Sequence, residues 1–169
     1  MPDRIAKDGI TLNDCVHITT MKKFLQMLFN KKPAADASIH PTPKRTPYEL
    51  IGGEAPTRLL ANRFYDIMAS DPHAAELYAI HPLPLDVIRE KFYEFLSGWL
   101  GGPQLFEEKY GHPRLRMRHM PFPVTPQLRD QWMYCMNKAL DEVVHDALLR
   151  AGLKEALGQL ASHMINRER

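Results

Sequence analysis

Apolar residues return every three or four positions from about Pro56 to Met164, and that period leaves this stretch little to fold into but helices. Leu59, Leu60, Phe64, Ile67 and Met68 make a first stripe, which Asp71-Pro72 stops because proline cannot continue a helix. Leu85, Ile88, Phe92, Phe95, Leu96 and Trp99 make a second. It ends at Gly101-Gly102-Pro103, where glycine supplies a left-handed cap. Thr125 as N-cap and Pro126 at the first helical position open a third, bearing Leu128, Trp132, Met136, Ala139, Leu140 and Val143. A fourth runs through Leu149, Leu153, Leu157, Leu160 and Met164, interrupted by Gly152. Four sizeable helices and no convincing strand predict an all-α domain.

Residues 1–46 read differently. They close in KKPAADASIHPTPKRTP, a stretch with too little apolar surface to order itself, so an N-terminal extension gives way to a folded domain over 47–169. Within the extension, Met21 to Phe29 is a short apolar segment with basic flanks, suited to a membrane surface or a partner; Met21 also reads as a translation start. The net charge of +2 is too small for the field of a typical polyanion binder. Cys15 and Cys135 are far apart and outside any metal or redox spacing, which points to a reducing, cytoplasmic setting. No run of uncharged apolar residues is long enough to span a bilayer.

The middle of the chain is poor in residues to fill a core and rich in special ones. Tyr110 to Val124 reads YGHPRLRMRHMPFPV, setting His119 between a basic run and a Pro-Phe-Pro break. A histidine at the end of a short element, closed off by prolines, is placed to offer one ring nitrogen to something buried beside it.

Four blocks then fall in order: Arg63-Phe64-Tyr65, Trp99-Leu100-Gly101-Gly102-Pro103, the Gly111-to-His119 run GHPRLRMRH, and Arg129-Asp130-Gln131-Trp132. From about Pro47 to the C-terminus the chain resembles the group II truncated haemoglobins. The resemblance implies two antiparallel helix pairs stacked two-on-two around haem b, with His119 as the proximal iron ligand on a pentacoordinate iron. It makes Tyr65 the distal tyrosine and puts Trp132 over the same side. His81 is preferred to Ile80 as a third distal residue, a further hydrogen-bond donor. Ile88 and Phe92, with Phe95 on the same stripe, would face the ring with no polar group. Phe122 would wall the proximal side, and Lys91, Arg114 and Arg118 are candidates for the haem carboxylates.

What such a protein would bind is dioxygen, CO, NO or peroxide, and the implied function is reversible binding of diatomics with nitric oxide dioxygenase or peroxidase-like side activity. Whether it is a dedicated enzyme stays open. A sustained cycle calls for a separate reductase, since no flavin or nicotinamide signature is present, and the assembly expected is a monomer or homodimer. Two other readings stand beside this one. Lys109 through Arg118 can be taken as the face of a basic helical nucleic-acid-binding module, and His112 with His119 as part of a zinc shell that lacks further ligands.

Overall fold

The computed structural model describes residues 44–168, so Cys15, the segment from Met21 to Phe29 and most of the extension lie outside the described residues. Thr46 opens helix α1 (Pro47–Ile51) through a reciprocal cap: its hydroxyl accepts from Glu49 N–H at 3.2 Å, and the Glu49 carboxylate accepts from Thr46 N–H at 2.8 Å. Four long helices follow as the periodicity predicts, namely α2 (Glu54–Ser70), α4 (Asp86–Trp99), α7 (Pro126–Val143) and α8 (Ala147–His163). Between them lie a 3₁₀ turn (Pro72–Ala74) and three short helices, α3 (Ala75–Ala79), α5 (Leu105–Tyr110) and α6 (Leu115–His119). No strand occurs among the described residues.

Helix α2 packs on both α4 and α7, and α7 packs on α8, giving the pairs α2 with α4 and α7 with α8. Their facing stripes meet in one core of Leu60, Phe64, Met68, Leu96, Met136, Leu140, Leu153 and Leu157, each essentially fully buried. Every such side chain withdrawn from water contributes about 1.5–3 kcal/mol, so this seam, more than the helices' own propensity, holds the fold. Two details differ from the sequence reading. Leu59 is 49% exposed, because α2 buries the face of Thr57, Leu60, Ala61 and Phe64 and Leu59 stands off it. Gly152 is buried, and α8 runs through it unbroken.

The ends of the long helices are set by caps. Thr125 Oγ1 accepts from Leu128 N–H at 3.2 Å, and Asp146 Oδ1 from Leu149 N–H at 2.8 Å. After α4 the glycines do more than stop a helix. Gly101 is left-handed (φ +87°), and a Cβ on Gly102 would lie 2.6 Å from the Tyr48 ring. Only glycine lets α1 lie flat on this corner, where Tyr48 N–H also donates to Leu100 O at 3.0 Å.

Candidate functional site

One face of α4 and the segment after it differ from the rest of the molecule. Helices α5 and α6 contain no buried residue. Ile88, Phe92 and Phe95 on α4, Leu115 at the start of α6 and Trp132 on α7 remain only half-buried, although they pack against the core. Apolar side chains on strongly patterned helices usually disappear from solvent; here they stay part-exposed, and Phe95 and Leu115 line a small cleft between α4 and α6.

On one side of it stands an aromatic cluster. Tyr65, 4% exposed, meets Phe64 edge-on at 5.0 Å between centroids, Phe92 at 5.8 Å and the His81 ring at 5.9 Å. Trp132 lies 5.2 Å from Phe64 and 6.2 Å from Phe92. The cluster thus gathers Tyr65, His81, Phe92 and Trp132 from three long helices and one loop. Burial holds the Tyr65 phenol well above its ordinary range, with Arg89 pulling the other way, so it stays protonated and able to donate. Neither its hydroxyl nor the Trp132 indole N–H has a hydrogen-bond partner among the described residues. Two donors in an apolar wall are free for a ligand.

His81 is held by the backbone of the preceding helix. Its Nδ1 lies 2.7 Å from Leu77 O, an acceptor only, so Nδ1 carries the proton and Nε2 presents a lone pair. Burial lowers its pKa, the Leu77 carbonyl opposes the shift and the neighbouring His119 adds to it, so the ring is neutral. A neutral His81 held this way donates through Nδ1 to Leu77 O and offers Nε2 as an acceptor. It is the His81 ring that meets Tyr65, while Ile80 packs on the core.

Across the cleft, His119 ends α6 with its Nδ1 2.7 Å from Leu115 O, four residues back, which again leaves Nε2 as a free lone pair. The loop behind it is tied down by a residue that sequence reasoning missed. Asn166 Nδ2 donates to His119 O and to Phe122 O, both at 3.0 Å, while its Oδ1 accepts from Val124 N–H at 3.1 Å and its own N–H donates to Val124 O at 3.0 Å. Arg116, also unforeseen, donates through Nη1 to His163 O and Ile165 O, so α6 is laced to the tail of α8. A lone polar residue past the end of a helix gives no pattern to find it by. Phe122 itself is 41% exposed at the edge of this loop.

The basic candidates lie at the rim, and all three are exposed. Lys91 Nζ sits 5.3 Å from the Tyr110 ring; Arg118 donates through Nε to Pro113 O at 2.8 Å with its guanidinium 5.5 Å from Phe106. Arg114 opens α6 in the left-handed region at φ +43°, a backbone cost of order 1 kcal/mol, its N–H donating to His112 Nδ1 at 3.1 Å. Beneath the rim, a small cavity of about 30 Å³ is lined by Glu94, Phe95, Trp99, Phe106 and Leu115 among others. Glu94 is 1% exposed and bonds Lys109 through Oε1, while Oε2 has no partner among the described residues.

These features fit the group that the resemblance implies. A half-buried apolar cleft suits a flat ring, a tautomer-locked imidazole with a free Nε2 suits iron, and rim cations suit carboxylates at the ring edge. Among the described residues no group of three or more His, Cys, Asp or Glu is placed to hold a metal ion, which leaves His112 and His119 without a zinc shell. No helix among these residues is long and apolar enough to cross a membrane.

The comparisons with known proteins agree. The bacterial-like globin family model matches residues 46–166. The chain is 42% identical over 120 residues to the group 2 truncated hemoglobin YjbI of Bacillus subtilis, covering 71% of this chain and 88% of that one. Among solved structures, the cold-adapted truncated hemoglobin of Pseudoalteromonas haloplanktis is 66% identical, with a TM-score of 0.73 over 73% of this chain and 100% of its own. The group II two-on-two hemoglobin of Agrobacterium tumefaciens is 44% identical, also at 0.73, over 76% of this chain and 100% of its own. A helical sandwich with an imidazole facing an aromatic cleft, matched along its whole folded length, leaves one assignment: the chain belongs to the bacterial-like globins, and within them to the group II truncated haemoglobins.

Proposed function

We propose that the domain, residues 47–169, binds haem b in the cleft between α4 and α6 and takes up dioxygen and other diatomic ligands reversibly at a pentacoordinate iron. The observation that carries this reading is the locked His119: Nδ1 engaged by Leu115 O, Nε2 free, and a cluster holding two unpartnered donors opposite. Haem supplies the ligand-binding iron, and the side chains of the cleft hold it, shield it and tune it. His119 holds the group by its Nε2, and the carbonyl behind it fixes the ring's rotation. Ile88, Phe92, Phe95 and Phe122 keep water from the faces of the ring. Lys91, Arg114 and Arg118 meet its carboxylates.

On the distal side, Tyr65 and Trp132 donate to a bound ligand that carries partial negative charge, and His81, whose ring meets Tyr65 edge-on, offers Nε2 as a neighbouring acceptor. Donors in a low-dielectric site slow ligand escape. The same donors serve nitric oxide dioxygenation or peroxide turnover, for which a separate reductase supplies electrons. Ultraviolet-visible spectra of the purified chain test the reading. A Soret band that shifts between ferric, ferrous and CO forms is expected, and a colourless protein that takes up no added haemin would overturn it. A chain shortened to begin at Thr46 is expected to take up haem as the full chain does.

A further inference from the structure

The cations of this domain are mostly matched to carboxylates. Arg58 pairs with Glu90, Arg63 with Glu142, Arg89 with Asp66, Lys138 with Asp71, and Arg150 and Lys154 with Asp141. Around α6 the matching stops. From Lys109 to Arg129 the sequence has no Asp or Glu, and Arg114, Arg116 and Arg118 form no ion pair among the described residues. Arg116 and Arg118 bond only neutral carbonyls, so with Lys91 and Arg114 four cations stand here against the two haem carboxylates proposed above, and Arg116 keeps its charge. Lys91 on α4 is also in no ion pair among the described residues and reaches the same surface through Tyr110, whose ring lies 4.9 Å from Phe106, over which Arg118 sits. Glu107 and Glu108 on α5, and Glu168 two residues past Asn166, are acids in no ion pair among the described residues; Glu107 lines the cavity beside Glu94.

The segment that carries these arginines also carries exposed apolar side chains. Met117 is 49% exposed, Met120 53% and Phe122 41%. A centre of methionine and aromatic residues rimmed by arginine is the composition of a protein interface. A binder of phosphodiester backbone needs the cations and gains nothing from the apolar centre. The segment that carries the patch also carries His119, so a protein seated here lies against the edge of the cleft.

We propose that this surface docks a small acidic one-electron carrier protein, which delivers electrons to the group held by His119. The proposal rests on the haem-binding reading above. In the transfer, one electron leaves the carrier's reduced centre and converts ferric to ferrous iron, and no bond is made or broken. Charge brings the partners together, and the Met117, Met120 and Phe122 centre makes the short-lived contact that redox pairs use.

The test uses the full-length holoprotein and a reduced plant-type [2Fe–2S] ferredoxin under CO, with the ferrous-CO Soret band as readout. Between about 20 and 200 mM NaCl the bimolecular rate is expected to fall by about tenfold or more, as steered association does. Met117→Glu/Met120→Glu places two like charges opposite the carrier without touching a residue assigned to haem. That variant is expected to keep its haem content and its rate with dithionite, and to be reduced by ferredoxin about tenfold more slowly. Calorimetric titration with oxidised ferredoxin at low salt is expected to show binding that the double variant loses. A salt-independent rate, or equal rates in wild type and variant, would overturn the proposal. So would binding to phosphatidylglycerol vesicles with no acceleration by ferredoxin, which would make the patch a membrane contact. A colourless protein would sink the haem reading instead, and the calorimetric arm would still decide whether this surface binds the carrier.

Discussion

Two imidazoles of this molecule are fixed the same way, each with Nδ1 at 2.7 Å from the carbonyl four residues earlier. Their surroundings differ. His81 follows α3 and leans on Tyr65, whose neighbours Phe64 and Phe92 belong to the long helices of the core. His119 stands on α6, which buries nothing and is held by Asn166 and Arg116. One wall of the cleft is therefore set by packing and the other by hydrogen bonds. The packed wall places donors to within a fraction of an ångström because the core allows no other arrangement. The laced wall holds an imidazole whose tautomer is fixed by Leu115 O.

The largest expected effect breaks the symmetry of the pair outright. His119→Ala removes the protein's proposed bond to iron and is expected to cost most of the haem during expression. His81→Ala, on the opposite wall, is expected to retain it. Soret absorbance per protein in the two variants is the measure, and equal retention would end the assignment of His119 as ligand.

Next comes the lacing. Asn166→Ala deletes three hydrogen bonds to the 119–124 loop. Each is worth about 0.5–1.5 kcal/mol, less where water replaces it, so haem transfer to an acceptor apoglobin is expected to quicken by about tenfold. Because the loop contributes little to the core, the melting temperature should fall far less than it does for a packed-wall change such as Phe64→Ala, which costs about 3–5 kcal/mol. A variant that melts early yet holds haem normally would show Asn166 to be an ordinary tail anchor.

The packed wall is probed by Tyr65→Phe and Trp132→Phe, each of which removes one donor and keeps a ring. Dioxygen release is expected to quicken by about two- to tenfold for each, from the loss of one hydrogen bond of about 0.5–1.5 kcal/mol. CO, less polar when bound, should respond less, so the ratio of the two is the sharper quantity. The double variant is expected to be non-additive, since both donors share one ligand. Unchanged stopped-flow dioxygen release in both single variants would leave these residues as core aromatics.

The same contrast explains what was legible in the sequence. The long helices were, because the 3.6-residue period is imposed by burial: Leu60, Phe64, Leu96, Met136, Leu140, Leu153 and Leu157 fall on the predicted stripes and are buried. Thr125 and Asp71-Pro72 declared their helix ends in the same local way. For the cleft, the order of Tyr65, His81, His119 and Trp132 was readable through family resemblance alone, and periodicity by itself would have made Trp132 one more core residue. The lacing was not readable. Asn166 and Arg116 act on backbone carbonyls far along the chain, and such bonds leave no spacing in the sequence. Nor was the state of His81, since whether an imidazole donates or accepts depends on what its other nitrogen touches, here Leu77 O.

The smallest effect is expected from that ring, and its sign can be worked out. Burial keeps His81 below the ordinary histidine pKa of about 6.5, so between the two values the unfolded chain binds a proton that the folded chain refuses. Its contribution to stability is therefore whole above about pH 6.5 and declines as the pH falls through that value toward the lower folded one. Phe at this position keeps an aromatic ring against Tyr65 and cannot titrate, so the stability of His81→Phe should lose less than wild type on going from pH 7.5 to pH 5.5. Ligand release carries a second sign. A proton on Nε2 turns the acceptor into a donor, so dioxygen release in wild type is expected to slow modestly as the pH drops across this range, and in His81→Phe to stay flat. The neutral acceptor also bears on Tyr65: at pH 7.5 it competes with the bound ligand for the phenol proton, and its removal frees Tyr65 to donate outward. Release from His81→Phe at pH 7.5 should then be slower than from wild type, whereas a donor at His81 would make it faster. Faster release there would return His81 to the role of third donor, in the other tautomer.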